Sequence, residues 1–269
     1  MFLPDNIDLG HSERYILSIR INPDGFMFSI SDPENGKNYC LRETTFSTTD
    51  DLLSNIQRII FDLNFLTQEF KQTNVVFVSK KYDLVPAAFY DSKHQKELYD
   101  FSHFDKSSHL LSGLINKQDI ILLYDADDKI VNFLSRNLWS PQFFHHSHLT
   151  INMLEERGLV AGRTAKMFIN LHGKYMDIIC FRDAKLLHSI TYESEPLTNQ
   201  LYYILKMWEQ CEFDQIEDYA YIAGDTDAAI KNKLSEYIKN INTINAPSEI
   251  PFWNEDANRA PLDLLTLAL

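Results

Sequence analysis

The sequence predicts an α/β fold built from two similar lobes. Two observations carry this. A strand, tight turn, strand pattern occurs at Tyr15–Asp32 and again at Lys166–Asp183. After each copy the chain runs into a third strand, an amphipathic helix, another strand and more helix, and a repeat of this kind identifies an architecture before any motif does. Arg20 ends the first strand of one copy and Asn170 that of the other, 150 residues apart.

In the first copy, Tyr15–Ile21 alternates apolar and polar residues, as a half-buried strand does. Asn22-Pro23-Asp24-Gly25 is turn chemistry: proline presets φ and glycine accepts φ > 0. Phe26–Ile30 returns, and Tyr39-Cys40-Leu41 is the third strand. Thr48 or Thr49 is placed to cap the next helix, with Asp50 and Asp51 in its first turn. Leu52, Leu53, Ile56, Ile59, Ile60, Leu63, Leu66 and Phe70 follow at helical spacing. Val75–Val78 and Asp119–Tyr124 are apolar runs suited to the middle of a sheet. Between them, Asp91–Lys117 is polar and weakly periodic and reads as an insertion or small helical lobe. Asp128–Trp139 and Leu149–Arg157 read as helices, the second ending at Gly158.

The second copy has strands at Lys166–Leu171, Tyr175–Phe181 and Lys185–Thr191, with His172-Gly173 as its turn. Ser194-Glu195-Pro196 opens a helix, serine as cap and proline in the first turn. Tyr219–Ala223 is a strand ending in Gly224-Asp225. Ala228–Tyr237 is a helix, Ile241–Ile244 a short strand, and Pro261–Leu269 a short apolar helix. The expected division is a first lobe over 1–145, with 91–117 inserted, and a second over 146–269. The last helix is expected to return to the first lobe.

Composition narrows the function classes. The chain has 269 residues and a net charge of −13. That field repels phosphate backbones, which argues against a nucleic-acid partner. No apolar run spans a bilayer, so membrane insertion is not expected. The first residues, Met1-Phe2-Leu3-Pro4-Asp5, lack the pattern of a signal peptide. The three cysteines Cys40, Cys180 and Cys211 have no CxxC spacing. They read as free buried thiols in a reducing compartment, so the expected location is the cytoplasm. Only 8 residues are glycine. Loops that cradle phosphates need glycine for close backbone approach.

The order strand-strand-strand-helix-strand-helix-strand, given twice, resembles the actin-like ATPase superfamily, which includes actin, the 70-kDa chaperones and sugar kinases. The chain is also similar to a bacterial family of unknown function for which an actin-like ATPase fold is known. The resemblance implies duplicated RNase H-like lobes with an interlobe cleft. It covers nearly the whole chain as pattern, and its local match is best at Leu149–Phe181.

In that superfamily both hairpin turns clasp the phosphates, and an Asp at the end of each first strand supports Mg²⁺ and water. The matching positions here are Arg20 and Asn170. The neighbouring glycine positions match Asn22 and His172, and Gly173 is retained. The adenosine site uses a glycine pair after a second-lobe strand; here it is Gly224-Asp225. The crossing helices carry Asn152, Leu154, Leu264 and Leu267 where small residues are usual. Arg20, Asn22, Asn170, His172, Gly173, Gly224 and Asp225 are therefore the candidate cofactor-binding positions. ATP is the cofactor that the fold would imply, but the motifs do not support it, and no cofactor is expected. Asp24, Asp177 and Asp225 are the acids that could stand in for those missing.

Each candidate has a plainer reading. Arg20 suits a phosphate but cannot ligate a metal; it equally suits an acidic neighbour. Gly224-Asp225 sits where open α/β sheets bind ligands, and Asp225 also suits a helix cap. His145, His146 and His148 suggest zinc, but no cysteine is near and HExxH is absent; Ser147 reads as a helix cap. Asp125, Asp127 and Asp128 cluster at a strand end, where helix capping outweighs a cation. Walker A, GxGxxG and GxSxG motifs are absent. The expected function is a degenerate, non-catalytic module that binds an unidentified protein partner. The other reading is an ATPase or small-molecule kinase with an atypical phosphate site.

Overall fold

The computed structural model describes residues 7–224, 228–244 and 254–268. The strands are β1 (Ile16–Ile21), β2 (Gly25–Ser31), β3 (Tyr39–Thr45), β4 (Gln72–Phe77), β5 (Tyr82–Pro86), β6 (His109–Ile115), β7 (Ile120–Ala126), β8 (Gln142–His145), β9 (Lys166–His172), β10 (Tyr175–Arg182), β11 (Lys185–Glu193), β12 (Tyr219–Gly224) and β13 (Asn240–Thr243). The helices are α1 (Leu52–Asp62), α2 (Gln95–Ser102), α3 (Asp128–Asn137), α4 (His146–Glu156), α5 (Leu197–Gln210), α6 (Ala228–Leu234), α7 (Glu255–Arg259) and α8 (Leu262–Ala268).

The chain divides into two compact units. One takes the described residues of Met1–Ile115, Asp119–Leu149 and Ala246–Leu269; the other takes Asn116–Gln118 and Thr150–Asn245. The first unit holds a five-stranded sheet in the order β3-β2-β1-β4-β8, and the second one in the order β11-β10-β9-β12-β13. The two orders match position for position. In both, the first hairpin is antiparallel and the next two strands run parallel to the first.

The hairpin at Asn22–Gly25 forms as its residues dictate, with the Asn22 N–H donating to the Gly25 carbonyl at 2.9 Å. β1 is buried along its whole length, as a central strand should be. Helix α1 starts later than its sequence suggested. Asp51, not a threonine, is the cap, accepting from the Ser54 N–H at 2.7 Å. The carboxylate also faces the helix N-terminus, where its charge is favoured. Ile56, Ile59 and Ile60 carry the buried face, while Leu66 and Phe70 lie beyond the helix end, each also buried.

The segment read as an insertion contains α2 but also β6, which joins β5 and β7 in a three-stranded antiparallel sheet of order β5-β7-β6. β7 is the middle strand there. α4 begins at His146, three residues before the sequence suggested, so Ser147 lies inside it rather than capping it. The helix ends as read: Gly158 sits at φ +66 and the Leu159 N–H bonds to the Leu154 carbonyl at 3.0 Å. Pro196 is itself the cap residue of α5, and Ser194 Oγ turns instead to the Gly173 carbonyl at 3.1 Å.

The second unit buries one face of its sheet under α5 and α6. Met167, Ile169 and Leu171 meet Ile204, Trp208, Ile230 and Leu234 there, with Cys180 and Cys211 in the same cluster. All three cysteines are free and buried. In the first unit, Tyr39, Leu41 and Val76 pack on Ala257, Leu264, Leu265 and Ala268 of the last two helices. Arg42 adds an ion pair to Asp256 at 2.7 Å. The C-terminal helices are thus part of the first unit's core.

Candidate functional site

The candidate positions in the first unit lie at the C-terminal end of β1. Arg20 pairs with Met27 on one side and Val76 on the other. The residue is 3% exposed. Its Nε donates to Asp263 Oδ2 at 2.7 Å, and one Nη donates to Asn22 Oδ1. Asp263 is itself buried in α8, and its other oxygen accepts from the Leu264 N–H at 2.8 Å. A guanidinium taken out of water needs this compensation. The Arg20 charge is therefore matched by an acid 243 residues away. Asn22, half-buried beside it, accepts from the same guanidinium.

In the second unit, Asn170 stands opposite Asp177 across the hairpin and beside Ala223 of β12. Asp177 is 0% exposed. Three side chains donate to its carboxylate: Asn170 Nδ2 at 3.2 Å, His172 Nε2 at 2.7 Å and Thr191 Oγ1 at 2.7 Å. Each donor is buried. The carboxylate is held by the strands on both sides of β10. Both oxygens of this buried carboxylate thus meet side-chain donors.

Gly173 takes φ +55 at the turn. Gly224 sits at φ +82, and a Cβ there would lie 1.8 Å from the Leu171 carbonyl oxygen. Glycine at 224 is thus required both by backbone conformation and by the close approach of β9. Asp225, the second half of that motif, lies outside the described residues.

The structure thus joins Arg20 with Asn22 in the first unit, and Asn170 with His172 in the second. The residues that complete these clusters, Asp263, Asp177 and Thr191, carried no motif. Asp177 had a signal: an acid in the apolar run Tyr175–Phe181 demands buried donors. Asp263 had a weaker one, as an acid in an apolar terminal helix.

The histidines named for zinc take separate partners. His145 Nε2 bonds to the Ser79 carbonyl at 3.1 Å, His146 Nε2 to Ser147 Oγ at 3.2 Å, and His148 Nε2 to the Leu114 carbonyl at 3.0 Å. Burial lowers the pKa of His148, because the charged ring loses hydration. Asp127 caps α3 through the Lys129 and Ile130 N–H groups. Asp125 accepts from the Ser108 and His109 N–H groups at 2.7 and 2.8 Å, and Asp128 pairs with His109. These acids satisfy backbone donors and a histidine.

Three comparisons place the chain. The model of a family described as "Protein of unknown function (DUF3822)" matches residues 4–241. No curated protein matches the sequence. Among solved structures, the chain is similar to a Bacteroides thetaiotaomicron protein described as having an actin-like ATPase fold and unknown function. The identity is 25%, the TM-score 0.81, and 97% of this chain and 98% of that one are covered. It is also similar to a chain of the PilM–PilN type IV pilus biogenesis complex, at 10% identity and a TM-score of 0.60, covering 94% and 96%. The architecture expected from the element order is the one these structures have. The chain belongs to the DUF3822 family of proteins of unknown function, and its fold is the α/β fold of the actin-like ATPases.

Proposed function

We propose that this protein is a degenerate, non-catalytic member of its superfamily that works by binding another protein. The observation that carries this is the burial of Arg20 against Asp263. By resemblance, Arg20 occupies the place of an acid that supports Mg²⁺. Here it is a cation, and its charge serves the packing of the last helix. The corresponding position in the second unit is Asn170, a neutral amide that donates to Asp177. Two positions that would hold a metal thus offer a repelling charge and an amide. Loss of a single supporting carboxylate commonly costs about 10–100-fold in metal affinity or activity.

A role in protein binding draws on the PilM likeness, since that structure is described as a complex with PilN. The likeness speaks to fold, and the interaction is carried over as analogy. Among the described residues no helix is long and apolar enough to cross a membrane, and a cytoplasmic location goes with the free thiols.

The second reading, an ATPase or kinase with an atypical phosphate site, draws on Asp177. It is a carboxylate next to Asn170 and could serve in place of the missing acid. A thermal-shift measurement with ATP and Mg²⁺ separates the two. A ligand at 100 times its Kd stabilises by about 2.7 kcal/mol, and in a chain of this size each kcal/mol moves Tm by about 2–4 °C. The expected result is no Mg²⁺-dependent shift. A saturable shift with ATP and Mg²⁺ together, absent with either alone, favours the second reading.

A further inference from the structure

The turn between β2 and β3 holds Asn35-Gly36, the only Asn-Gly pair in the chain. Its own polar groups fix this turn. Asp32 Oδ1 accepts from the Glu34 N–H at 2.9 Å, and Oδ2 from Asn38 Nδ2 at 3.0 Å. The Asn35 N–H donates to the Asp32 carbonyl at 3.1 Å, and the Asn35 carbonyl accepts from the Asn38 N–H at 2.9 Å. The Asn35 side chain is exposed. Its Oδ1 accepts from the Lys37 N–H at 3.2 Å. This reach to the residue two positions on is an Asx turn, which brings the side-chain carbonyl carbon close to the intervening Gly36 nitrogen. The same hydrogen bond draws electrons from that carbonyl. Gly36 has no side chain to screen its nitrogen. Among the described residues no backbone acceptor takes the Gly36 N–H. A polarised carbonyl and an accessible amide nitrogen thus sit side by side, within reach of water.

We infer that Asn35 is a site of spontaneous deamidation, and that its isoaspartyl product loosens this turn from α7. The Gly36 nitrogen attacks Asn35 Cγ. The new C–N bond forms, the Cγ–Nδ2 bond breaks, and the Gly36 proton leaves with Nδ2 as ammonia. Water then opens the succinimide at one of its two carbonyls, giving aspartate or isoaspartate. Water is the only co-reactant, and nothing is oxidised or reduced. Both products add one negative charge to a chain that already carries −13. Isoaspartate also lengthens the backbone by a methylene, because the chain then runs through the former side chain. That insertion falls just before Lys37, whose carbonyl accepts from Asn254 Nδ2 at 3.1 Å. Asn254 Nδ2 also donates to the Tyr39 carbonyl at 2.6 Å, and its Oδ1 caps α7 through the Ala257 N–H at 3.0 Å. A displaced Lys37 carbonyl therefore disturbs a helix cap from the far end of the sequence. The inference does not rest on the proposed function, since none of these residues belongs to the candidate site.

The test is incubation of the full chain in mildly alkaline buffer, followed by anion exchange, peptide mass mapping and labelling with an isoaspartyl methyltransferase. A more acidic form is expected to accumulate, with the exchange of NH for O mapped to Asn35 and with methyltransferase label on the same peptide. The rate is expected to rise with pH, because the attacking nitrogen must shed its proton. It is expected to be no slower in the native chain than in urea, where the Asx turn is lost. Gly36→Ala, whose methyl group crowds the nitrogen, is expected to abolish the reaction on that timescale. The isoaspartyl fraction is expected to melt about 2–4 °C below the unaged chain, the worth of one helix cap. Freshly purified Asn35→Asp, which gains the charge without the methylene, is expected to melt with the wild type. The inference is overturned if Asn35 stays intact, if Gly36→Ala ages as the wild type does, or if the native chain reacts far more slowly than the chain in urea. It is also overturned if the isoaspartyl fraction melts with Asn35→Asp.

Discussion

The ends of β1 and β9 occupy the same place in two sheets of identical strand order, yet they are finished differently. At the end of β1, Arg20 is neutralised by Asp263, so the first unit depends on the last helix of the chain for its electrostatic balance. At the end of β9, Asn170, His172 and Thr191 satisfy Asp177 within three consecutive strands. One device is long-range and the other local. In both cases polar groups at a strand end are committed to internal partners. The proposed non-catalytic reading takes both ends as structural elements, in contrast to the open carboxylates of a metal–phosphate site.

The largest expected effect is on the long-range device. Arg20→Ala leaves the Asp263 carboxylate buried without its cation, and Asp263→Ala takes from Arg20 its buried counter-charge, which costs about 3–5 kcal/mol. Replacing both with apolar residues of similar volume, Arg20→Met with Asp263→Leu, is expected to restore most of that stability. Urea unfolding of the single and double variants checks this as a cycle. If the double variant is as unstable as the singles, the pair is more than a charge tie.

Next comes Gly224→Ala, which forces a Cβ against the Leu171 carbonyl at an unfavourable φ. A loss of about 3 kcal/mol is expected from strain and displacement together. Asp177→Asn keeps the volume of the local cluster but removes its charge. The His172, Asn170 and Thr191 donors then face a neutral amide, and a loss of about 2 kcal/mol is expected. Denaturation followed at Trp208, which lies in the second unit's core, reads both effects where they arise, provided the other two tryptophans are replaced.

The smallest effect is in pH dependence. Burial lowers the pKa of His148 below its ordinary 6.5. Between the lowered value and 6.5 the unfolded chain binds more protons than the folded one. Stability from this group is therefore full above pH 6.5 and is lost as pH falls through the folded pKa. His148→Gln is expected to flatten the dependence of Tm on pH in that range. In the same region of mild chemistry, burial pushes the Cys40 thiol up to about 11, so alkylation of this residue in the native protein at neutral pH is expected to be far slower than in urea.

Much of the fold was legible because the hairpins announce themselves. Asn22-Pro23-Asp24-Gly25 and His172-Gly173 set tight turns between apolar runs, and both hairpins formed where read. The short elements were harder. β8 is four residues long, and α7, five residues, has no apolar period to find. β6 was hidden because His109–Ile115 is an only partly buried strand of a small sheet, where alternation is weak. The α1 cap fell on Asp51 because its carboxylate, unlike the threonine hydroxyls, reaches a free N–H of the first turn. At the site, Arg20 and Asn170 could be located by order of elements alone. Their partners could not, since nothing local in β1 tells that Asp263 returns to it.

The central claim is that the two strand ends are structural and do not support metal-dependent phosphate chemistry. Phosphate release from ATP with Mg²⁺, measured for the wild type beside Asn170→Ala and Asn170→Asp, tests it most directly. The account predicts no release above the protein-free rate from the wild type or from Asn170→Ala. Robust turnover by the wild type, abolished in Asn170→Ala while that variant stays folded, would contradict it and establish the nucleotide-dependent reading.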